Sequence, residues 1–372
     1  MSYKVRFVNY PEHYKRLWDE IMPAITGCLT RGDLIARQQL DDFEANFAKF
    51  VGTKQAIGLN SGTDALMISV KAAGIGRGDE VVTVSHTFVA TIMSIVFNGA
   101  IPKLVDVGQD MEMDVSKLEK AITKKTKAIV PVHLNGRMVD MRVVNEIAEE
   151  RGLVVIEDAA QALGAKVGKY RSGGSGLTGC FSFYPAKILG CAGDGGAITT
   201  NDDELARKVR LLRDHGFKRD TNELLMYGFN SRLDNIQAAL LDVKLRHLGE
   251  WIKRRREIAD MYEEGLSDVP DLILPPGTHD TNGFFDVFQN YVVRTGKRDK
   301  LYQYLKEQGI ETMISWPKPT HSHPALGLTK FSLPVTEELS RTVLSLPLFP
   351  ELSEEEVQYV IEKMREFLGQ GK

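Results

Sequence analysis

The stretch that decides the fold is CFSFYPAKILGCAGDGGAITT, residues Cys180–Thr200. Phe181–Tyr184 alternates aromatic and polar side chains as a short strand does, Pro185 ends it, and an extended pattern resumes at Ala197 after several glycines. Lys187 lies in the turn between them, among uncharged neighbours, so its ammonium form is disfavoured. A neutral lysine amine is a nucleophile suited to Schiff-base chemistry with an aldehyde. An isolated lysine more often extends to solvent, and the rest of the chain has to distinguish these two interpretations.

Length and composition describe an ordinary globular protein. The 372 residues are 43% hydrophobic and 26% charged, enough for a large domain and a smaller one. A formal net charge of -3 gives no electrostatic reason to expect nucleic acid or an anionic membrane as partner. Cys28, Cys180 and Cys191 share no metal-ligand or disulfide spacing, and no stretch approaches about eighteen uncharged apolar residues. We therefore expect a cytoplasmic protein with no bound metal that does not span a membrane.

A candidate phosphate site follows the first predicted strand. Gln55–Leu59 is apolar, and Asn60–Asp64 then opens a helix predicted over Ala65–Ala73. Small and hydroxyl residues at a helix start leave backbone N–H groups free, and these groups with the helix dipole favour a phosphate. A plain N-cap made by Ser61 or Thr63 explains the same residues equally well.

Between residues 80 and 156 the chain alternates strands and helices. The predicted strands are Glu80–Val84, Ile101–Val105, Ala128–Val132 and Leu153–Ile156, and the helices between them are Thr87–Asn98, Val115–Ile122 and Val139–Arg151. This alternation predicts right-handed crossovers and a mostly parallel sheet with helices on both faces. Such sheets bind ligands at the carboxyl ends of their strands.

Polar and aromatic residues follow several of these strands. Val154–Ile156 is followed by Glu157 and then Asp158, where a carboxylate can cap the next helix or hold a protonated heteroaromatic nitrogen. Gln161, one helical turn later, would face the same side and could donate to a ring oxygen. Phe88, after the strand that ends at Val84, is either a core residue or a flat surface on which a cofactor ring stacks.

The C-terminal part has mixed spacing typical of a compact α+β domain. A long helix predicted over Ile236–Glu264 marks the passage from a large domain, residues 1–250 with an N-terminal arm and helix, to a small one, residues 251–372. Residues 270–283 are rich in Pro, Gly and Asp, a composition that predicts a loop. The elements expected after it are strands at Phe288–Arg294 and Glu311–Trp316 and helices at Arg298–Gln308 and Glu354–Leu368.

The phosphate-type turn, Phe88, Asp158 and Lys187 occur in an order that closely resembles the DegT/DnrJ/EryC1/StrS family of sugar aminotransferases. The resemblance covers nearly the whole chain. It is carried by SGTDAL (61–66), HTFVAT (86–91), VHLNGRMVDM (132–141), IEDAAQALGA (156–165), CFSFYPAKILGCAGDGG (180–196), GFNSRLDNIQAA (228–239) and SLPLFPELSEEEV (345–357).

The resemblance implies a fold-type-I α/β enzyme with a seven-stranded-type sheet that uses pyridoxal 5′-phosphate. It also implies a homodimer with each active site at the subunit interface. By matching motif positions, Lys187 would form the Schiff base and shuttle protons, Asp158 would pair with the pyridine nitrogen, and Gln161 would sit near the phenolic oxygen. Phe88 would stack on the ring. The residues that would bind the phosphate are Gly62, Thr63, Asp64 and Ser182, with Asn230 reaching it from the partner subunit.

The same resemblance implies transfer of an amino group from glutamate to a nucleotide-linked keto-sugar. Lysine at position 187 favours this, because some relatives carry histidine there and act as dehydratases. The blocks look more like the branch that aminates C3 of 3-keto sugars, since the C4 branch more often has GEGG where this chain has Gly193–Gly196. The alternative is a C4 aminotransferase acting on a 4-keto-6-deoxy nucleotide sugar. Candidate substrate contacts, each equally compatible with a structural role, are Arg232, Trp316, His321 and His323.

Two rival functions fit parts of the sequence. A regulatory protein that binds cofactor or nucleotide-sugar without turnover would not need Lys187, Asp158 and Asn230 together. A nicotinamide-dependent oxidoreductase would carry a G-x-G-x-x-G turn after the first strand, where Gly58 and Gly62 have the wrong spacing. The aminotransferase is therefore the favoured prediction.

Overall fold

A computed structural model describes residues 3–279 and 282–369. The helices are Tyr10–Arg31 (α1), Gln38–Val51 (α2), Gly62–Ala72 (α3), Val89–Phe97 (α4), Leu118–Ala121 (α5), Met141–Arg151 (α6), Asp203–Arg213 (α7), Asn235–Leu266 (α8), Arg298–Glu307 (α9), Pro334–Thr342 (α10) and Glu354–Gly369 (α11). The strands are Gln55–Leu59 (β1), Glu80–Val84 (β2), Ile101–Val105 (β3), Thr126–Ile129 (β4), Val154–Asp158 (β5), Lys166–Val167 (β6), Tyr170–Arg171 (β7), Thr178–Ser182 (β8), Gly196–Thr200 (β9), Phe217–Lys218 (β10), Glu223–Leu224 (β11), Phe284–Phe285 (β12), Tyr291–Arg294 (β13) and Val343–Leu346 (β14).

The central sheet has seven strands in the order β1-β9-β8-β5-β4-β2-β3. Neighbours from β8 to β3 pair in parallel, whereas β9 runs antiparallel to both β8 and β1. The mostly parallel sheet predicted from the strand and helix alternation is thus confirmed. Because β9 runs antiparallel to β8, the glycine-rich segment that joins them lies at the edge of the sheet where the parallel strands end.

Both faces of this sheet are buried. Val82, Ile129 and Val155 belong to one apolar cluster, and their chain neighbours Val81 and Ala128 belong to another. Because successive side chains of a strand point to opposite faces, the two clusters are the layers above and below the sheet. The consecutive apolar residues of these strands therefore reflect burial on both sides.

A separate apolar core lies in the C-terminal part. It combines the last turns of α8, including Ile258 and Tyr262, with β13, β14, α9 and α11. Helix α8 is continuous across residue 250, so the same element contributes to this core and to the one beneath the sheet. The division at residues 250 and 251 stays a prediction, and residues 1, 2 and 370–372 lie outside the described part.

The structure differs from the sequence expectations mainly after residue 282. Glu311–Trp316 is not a strand: Met313 makes an isolated antiparallel bridge with Ser345, and Trp316 has φ of 50°. A left-handed residue directly before Pro317 turns the chain away from the sheet. Helix α10 and strand β14 had no prediction. Residues 280 and 281 of the predicted loop lie outside the described residues.

The helix predicted over Val115–Ile122 is a short 3-10 turn, Val115–Lys117, followed by the single turn of α5. In the described ranges, no helix combines the length and apolar character needed to cross a bilayer. The cytoplasmic location stays a prediction.

Candidate active site

A cavity of about 930 Å³ opens at the carboxyl edge of the sheet. Strands β1, β2, β5 and β8 all point their carboxyl ends toward it, as ligand sites of parallel sheets require. The predicted site residues that line it are Gly62, Thr63, Phe88, Asp158, Gln161, Ser182, Lys187 and Trp316. Residues separated by more than two hundred positions in sequence therefore meet in one space.

The N-terminus of α3 forms one end of the cavity. Ser61 caps the helix, its hydroxyl accepting from the Asp64 N–H at 3.1 Å, so the N–H groups of Gly62 and Thr63 are left without intrahelical partners. A Cβ on Gly62 would lie 2.6 Å from the Cβ of Ser182, so only glycine lets strand β8 approach this turn. Free N–H groups, a helix dipole and two nearby hydroxyls make an anion site.

Asp64 lies in the first turn of α3. Its carboxylate accepts a hydrogen bond from the Ser231 hydroxyl at 2.8 Å and does not line the cavity. Asp64 thus links helix α3 to the segment that precedes α8. Its proposed contact with phosphate stays a prediction.

Asp158 ends β5 and is buried, with 6% of its surface exposed. Its carboxylate accepts from the Thr91 hydroxyl at 2.7 Å and from the Ala160 N–H at 3.3 Å. Burial raises the pKa of this carboxyl, while these two hydrogen bonds and the nearby Lys187 amine act in the opposite direction. A buried carboxylate of this kind is stabilised by a cationic partner such as a protonated ring nitrogen.

Glu157, the residue before Asp158, is saturated by protein donors. It accepts from His133 Nε2 at 2.9 Å and from the N–H groups of Gly173, Ser175 and Gly176. The Val139 N–H donates to His133 Nδ1, so Nδ1 carries a lone pair and Nε2 carries the proton. His133 is therefore held in the cavity wall by hydrogen bonds at both ring nitrogens.

Lys187 lies in the turn after β8, with its own N–H donating to the Tyr184 carbonyl at 2.8 Å. Desolvation by burial lowers the pKa of its amine from 10.5 to about 8, and the carboxylate of Asp158 opposes that shift. The amine and this carboxylate thus face the same cavity. A lysine whose amine is neutral in part near physiological pH can act as nucleophile and base.

Phe88 and Gln161 both line the cavity, but the Phe88 ring is exposed whereas the Gln161 side chain is already hydrogen-bonded to the protein. Phe88 is 59% exposed although it is apolar, so its ring is available to a flat ligand. The Gln161 side-chain carbonyl already accepts from the Asn135 N–H at 3.0 Å. This orientation leaves the NH₂ group of Gln161 as the donor it can present to a ligand oxygen.

Several predicted residues, all described, lie outside the cavity lining: Asp64, Asn230, Arg232, His321 and His323. Arg232 pairs with Asp214 at 2.8 Å, and Asn230 forms an isolated bridge with the same residue. His321 is buried with Nδ1 2.8 Å from the Ser85 hydroxyl, whereas His323 is exposed. Trp316 does line the cavity, with its ring 5.4 Å from that of His86.

Other side chains at the site had no sequence-based assignment. Thr91, which holds Asp158, lies one helical turn after Phe88 in the same sequence block, so its spacing could have identified it. Gln289 and Asn290 reach the cavity from the C-terminal part, and no local pattern marks them. Among the residues described, no group of three or more His, Cys, Asp or Glu side chains could hold a metal ion.

Comparison with known proteins gives the family. The model of the DegT/DnrJ/EryC1/StrS aminotransferase family matches residues 15–365. The chain belongs to this family. It is a pyridoxal phosphate-dependent aminotransferase.

Relatives of known name match over almost their whole length. A "Pleiotropic regulatory protein" of Geobacillus stearothermophilus is 45% identical, covering 98% of each chain. A dTDP-3-amino-3,4,6-trideoxy-alpha-D-glucose transaminase of Streptomyces venezuelae is 40% identical, covering 98% of this chain and 96% of that protein. The crystal structure of S. venezuelae DesV with a ketimine intermediate superposes with a TM-score of 0.94 at 40% identity, covering 99% of both chains.

The residues of the cavity fit pyridoxal phosphate. The N-terminus of α3, where Gly62 leaves no room for a Cβ, suits the phosphate, and the buried carboxylate of Asp158 suits a protonated pyridine nitrogen. Lys187 supplies an amine of lowered pKa in the same space. The fold-type-I α/β architecture inferred from the resemblance is confirmed by the solved structures.

Proposed function

We propose that this enzyme transfers an amino group from glutamate to C3 of a nucleotide-linked 3-keto sugar. The observation that carries the proposal is the shared cavity of Lys187 and Asp158, which gives the chain the two groups that transamination requires. The position on the sugar is supported by the S. venezuelae relative, whose name specifies a 3-amino sugar. A volume of about 930 Å³ accommodates a cofactor and part of a sugar ligand.

In this reaction the residues of the cavity would have separate binding and catalytic roles. The α3 N-terminus with Thr63 and Ser182 binds the cofactor phosphate, and Asp158 holds the ring nitrogen in its protonated form, itself oriented by Thr91. When bound, pyridoxal phosphate supplies an aldehyde that exchanges amino groups and a ring that withdraws electrons. The Lys187 amine would take the α-proton of glutamate, and in the second half-reaction it would deliver a proton to C3 of the sugar.

We propose that the active enzyme is a homodimer whose partner subunit completes each site. Asn230 and Arg232 lie outside the cavity of their own chain, which suits residues that serve the other subunit. The preceding segment exposes large apolar side chains, with Tyr227 92% and Leu224 58% exposed. An apolar group of this kind beside functional polar residues is typical of a surface buried by a second copy.

The regiochemistry is tested by supplying glutamate with matched 3-keto and 4-keto nucleotide sugars and identifying the amino sugars formed by NMR. We expect amination of the 3-keto substrate, with a kcat/KM at least about tenfold above that for the 4-keto substrate. Product from the 4-keto sugar alone would assign the enzyme to the C4 alternative and leave the aminotransferase chemistry unchanged.

The shared site is tested by mixing two inactive variants, Lys187→Ala and Asn230→Ala, under conditions that allow subunits to exchange. If Asn230 serves the partner's site, mixed dimers contain one intact site, and activity recovers to about a quarter of the wild-type value. Two variants that remain inactive after verified exchange would place Asn230 in the site of its own chain.

A second function is favoured by one observation, the regulatory name of the Geobacillus relative. A regulator that binds nucleotide sugar without turnover would bind the 3-keto substrate tightly and release no amino sugar or 2-oxoglutarate. The turnover assay described above therefore distinguishes both functions in one experiment.

A further inference from the structure

The side chain of Gln289 contacts both peptide groups that flank Lys187. Its carbonyl oxygen accepts from the Ile188 N–H at 2.8 Å, and its NH₂ donates to the Ala186 carbonyl at 2.8 Å. One of these peptide groups precedes the Cα of Lys187 and the other follows it. Fixing both peptide planes fixes φ and ψ of the residue between them, and hence the direction in which its side chain leaves the backbone.

Gln289 is itself held firmly. It is 8% exposed, and the guanidinium of Arg255 on α8 donates to the backbone carbonyl of Gln289 at 3.3 Å and to the backbone carbonyl of Phe288 at 3.1 Å. The next residue, Asn290, donates through its backbone N–H to the Asn135 carbonyl at 3.3 Å. The backbone that carries the Gln289 side chain is therefore anchored to a long helix on one side and to the loop after β4 on the other.

We infer that Gln289 is a positioning residue for Lys187, aiming the lysine amine into the cavity toward Asp158. This inference rests on the proposed function only in giving Lys187 its catalytic role. Without the two hydrogen bonds, the turn at residues 184–188 would keep the bond from the Lys187 N–H to the Tyr184 carbonyl and the bond from the Tyr184 N–H to the Ser182 hydroxyl, neither of which holds the peptide group after Lys187. The lysine could then rotate toward solvent, where its amine would be better hydrated.

Other ionisable groups share the cavity with Lys187 and are the same in the wild type and in the test variants. Those that line it are Asp158, Asp194, Glu311, His133, Arg255, Tyr10 and Tyr184. A change in the titration of Lys187 after substitution of the neutral Gln289 therefore reports a change in its position or hydration. It does not report a lost charge.

The molecule offers a matched control for this contact. Gln237 also makes two bonds to the backbone, accepting from the Ala192 N–H at 3.0 Å and donating to the Ala192 carbonyl at 3.2 Å. Ala192 lies further along the same glycine-rich segment, and Gln237 does not line the cavity described here. Gln237→Ala thus removes the same kind of contact without touching the peptides beside Lys187.

The test compares the wild type, Gln289→Ala and Gln237→Ala as full-length proteins freed of cofactor. Lys187 is labelled with acetic anhydride across a pH series, and the extent of labelling is measured by mass spectrometry. In Gln289→Ala we expect the midpoint of labelling to rise by about one pH unit, from about 8 toward the ordinary value of 10.5, because the amine becomes hydrated. The cofactor-loaded variant should lose kcat by roughly 10- to 100-fold.

Gln237→Ala should keep the wild-type midpoint and a kcat within about twofold of wild type, whatever its effect on thermal stability. A Gln289→Ala midpoint equal to that of the wild type would overturn the inference, as would an equal shift in Gln237→Ala. If Gln289→Ala does not fold, Gln289→Met stays neutral and close to the volume of glutamine, loses the hydrogen bonds to the Ile188 N–H and the Ala186 carbonyl, and should also raise the midpoint. An unchanged midpoint in that variant would overturn the inference too, while loss of activity in Lys187→Ala would still support the proposed function.

Discussion

Two lysines of this protein have similarly lowered pKa values and different surroundings. Burial lowers the pKa of both Lys187 and Lys244 to about 8. The Lys244 amine donates to the Gly190 carbonyl at 2.6 Å and lies 5.2 Å from the centre of the Tyr14 ring, inside packed protein. Lys187 instead faces a cavity that contains a carboxylate, Asp158. A lowered pKa therefore identifies a desolvated amine, and only access to a ligand makes it catalytic.

The largest effect expected from this difference is on chemistry. Lys187→Ala should lose the visible absorbance of bound cofactor and at least about 1000-fold in transamination rate, because it removes nucleophile and base together. Lys244→Met should keep the absorbance and an activity within about tenfold of wild type, since Lys244 does not line the cavity. Spectra and initial rates of the two purified variants measure both outcomes. Equal losses would mean that Lys244 takes part in the reaction.

The second effect concerns pH and stability. Lys244 releases its proton near pH 8 in the folded protein but only near 10.5 when unfolded, so its ammonium form disfavours folding below about pH 8. As pH rises from about 8 to 10, wild type should gain about 1.4 kcal/mol per pH unit in free energy of unfolding relative to Lys244→Met. Urea unfolding of both proteins at several pH values gives this difference. The cysteines and tyrosines are present in both proteins, so their titration cancels in the difference. A difference that stays constant with pH would show that Lys244 is not desolvated.

The smallest expected effect concerns Tyr14, whose ring lies beside the Lys244 amine. The Tyr14 hydroxyl donates to the Cys191 carbonyl at 3.2 Å, next to the carbonyl that Lys244 contacts. Tyr14→Phe should cost about 1 kcal/mol of stability and leave the cofactor absorbance unchanged. Thermal unfolding monitored by circular dichroism tests the first part. A changed cofactor absorbance in Tyr14→Phe would show that the packing around Lys244 affects the environment of the cofactor in the cavity.

Much of the cavity could be predicted because its residues follow strand ends in a regular alternation. Asp158 comes after a buried strand, and the turn that opens α3 follows another, so sheet topology alone brings them to one edge. The Lys187 turn is marked by its proline and glycines. These are local signals, and they place residues before any long-range contact is known.

The C-terminal contributions to the site could not be predicted in this way. Gln289 acts through two backbone contacts with residues about a hundred positions earlier, and such contacts leave no periodic pattern. The segment from Glu311 to Trp316 was wrongly predicted as a strand because its composition suits one, whereas only Met313 pairs with a strand. Substrate contact by His321 stays a prediction, and its Nδ1 lies 2.8 Å from the Ser85 hydroxyl, a contact that no local pattern marks.

The amino-terminal arm has a consequence for how the protein is made. Val5 bridges Ile310, and His13 lies 2.7 Å from Glu351, so residues synthesised early find their contacts only after the C-terminal part has emerged. The last turns of α8 likewise cover their apolar side chains with segments translated much later. A nascent chain on the ribosome must therefore carry these surfaces uncovered until the segments through α11 have emerged, and a product stalled or released before that point would be a substrate for chaperones and proteases.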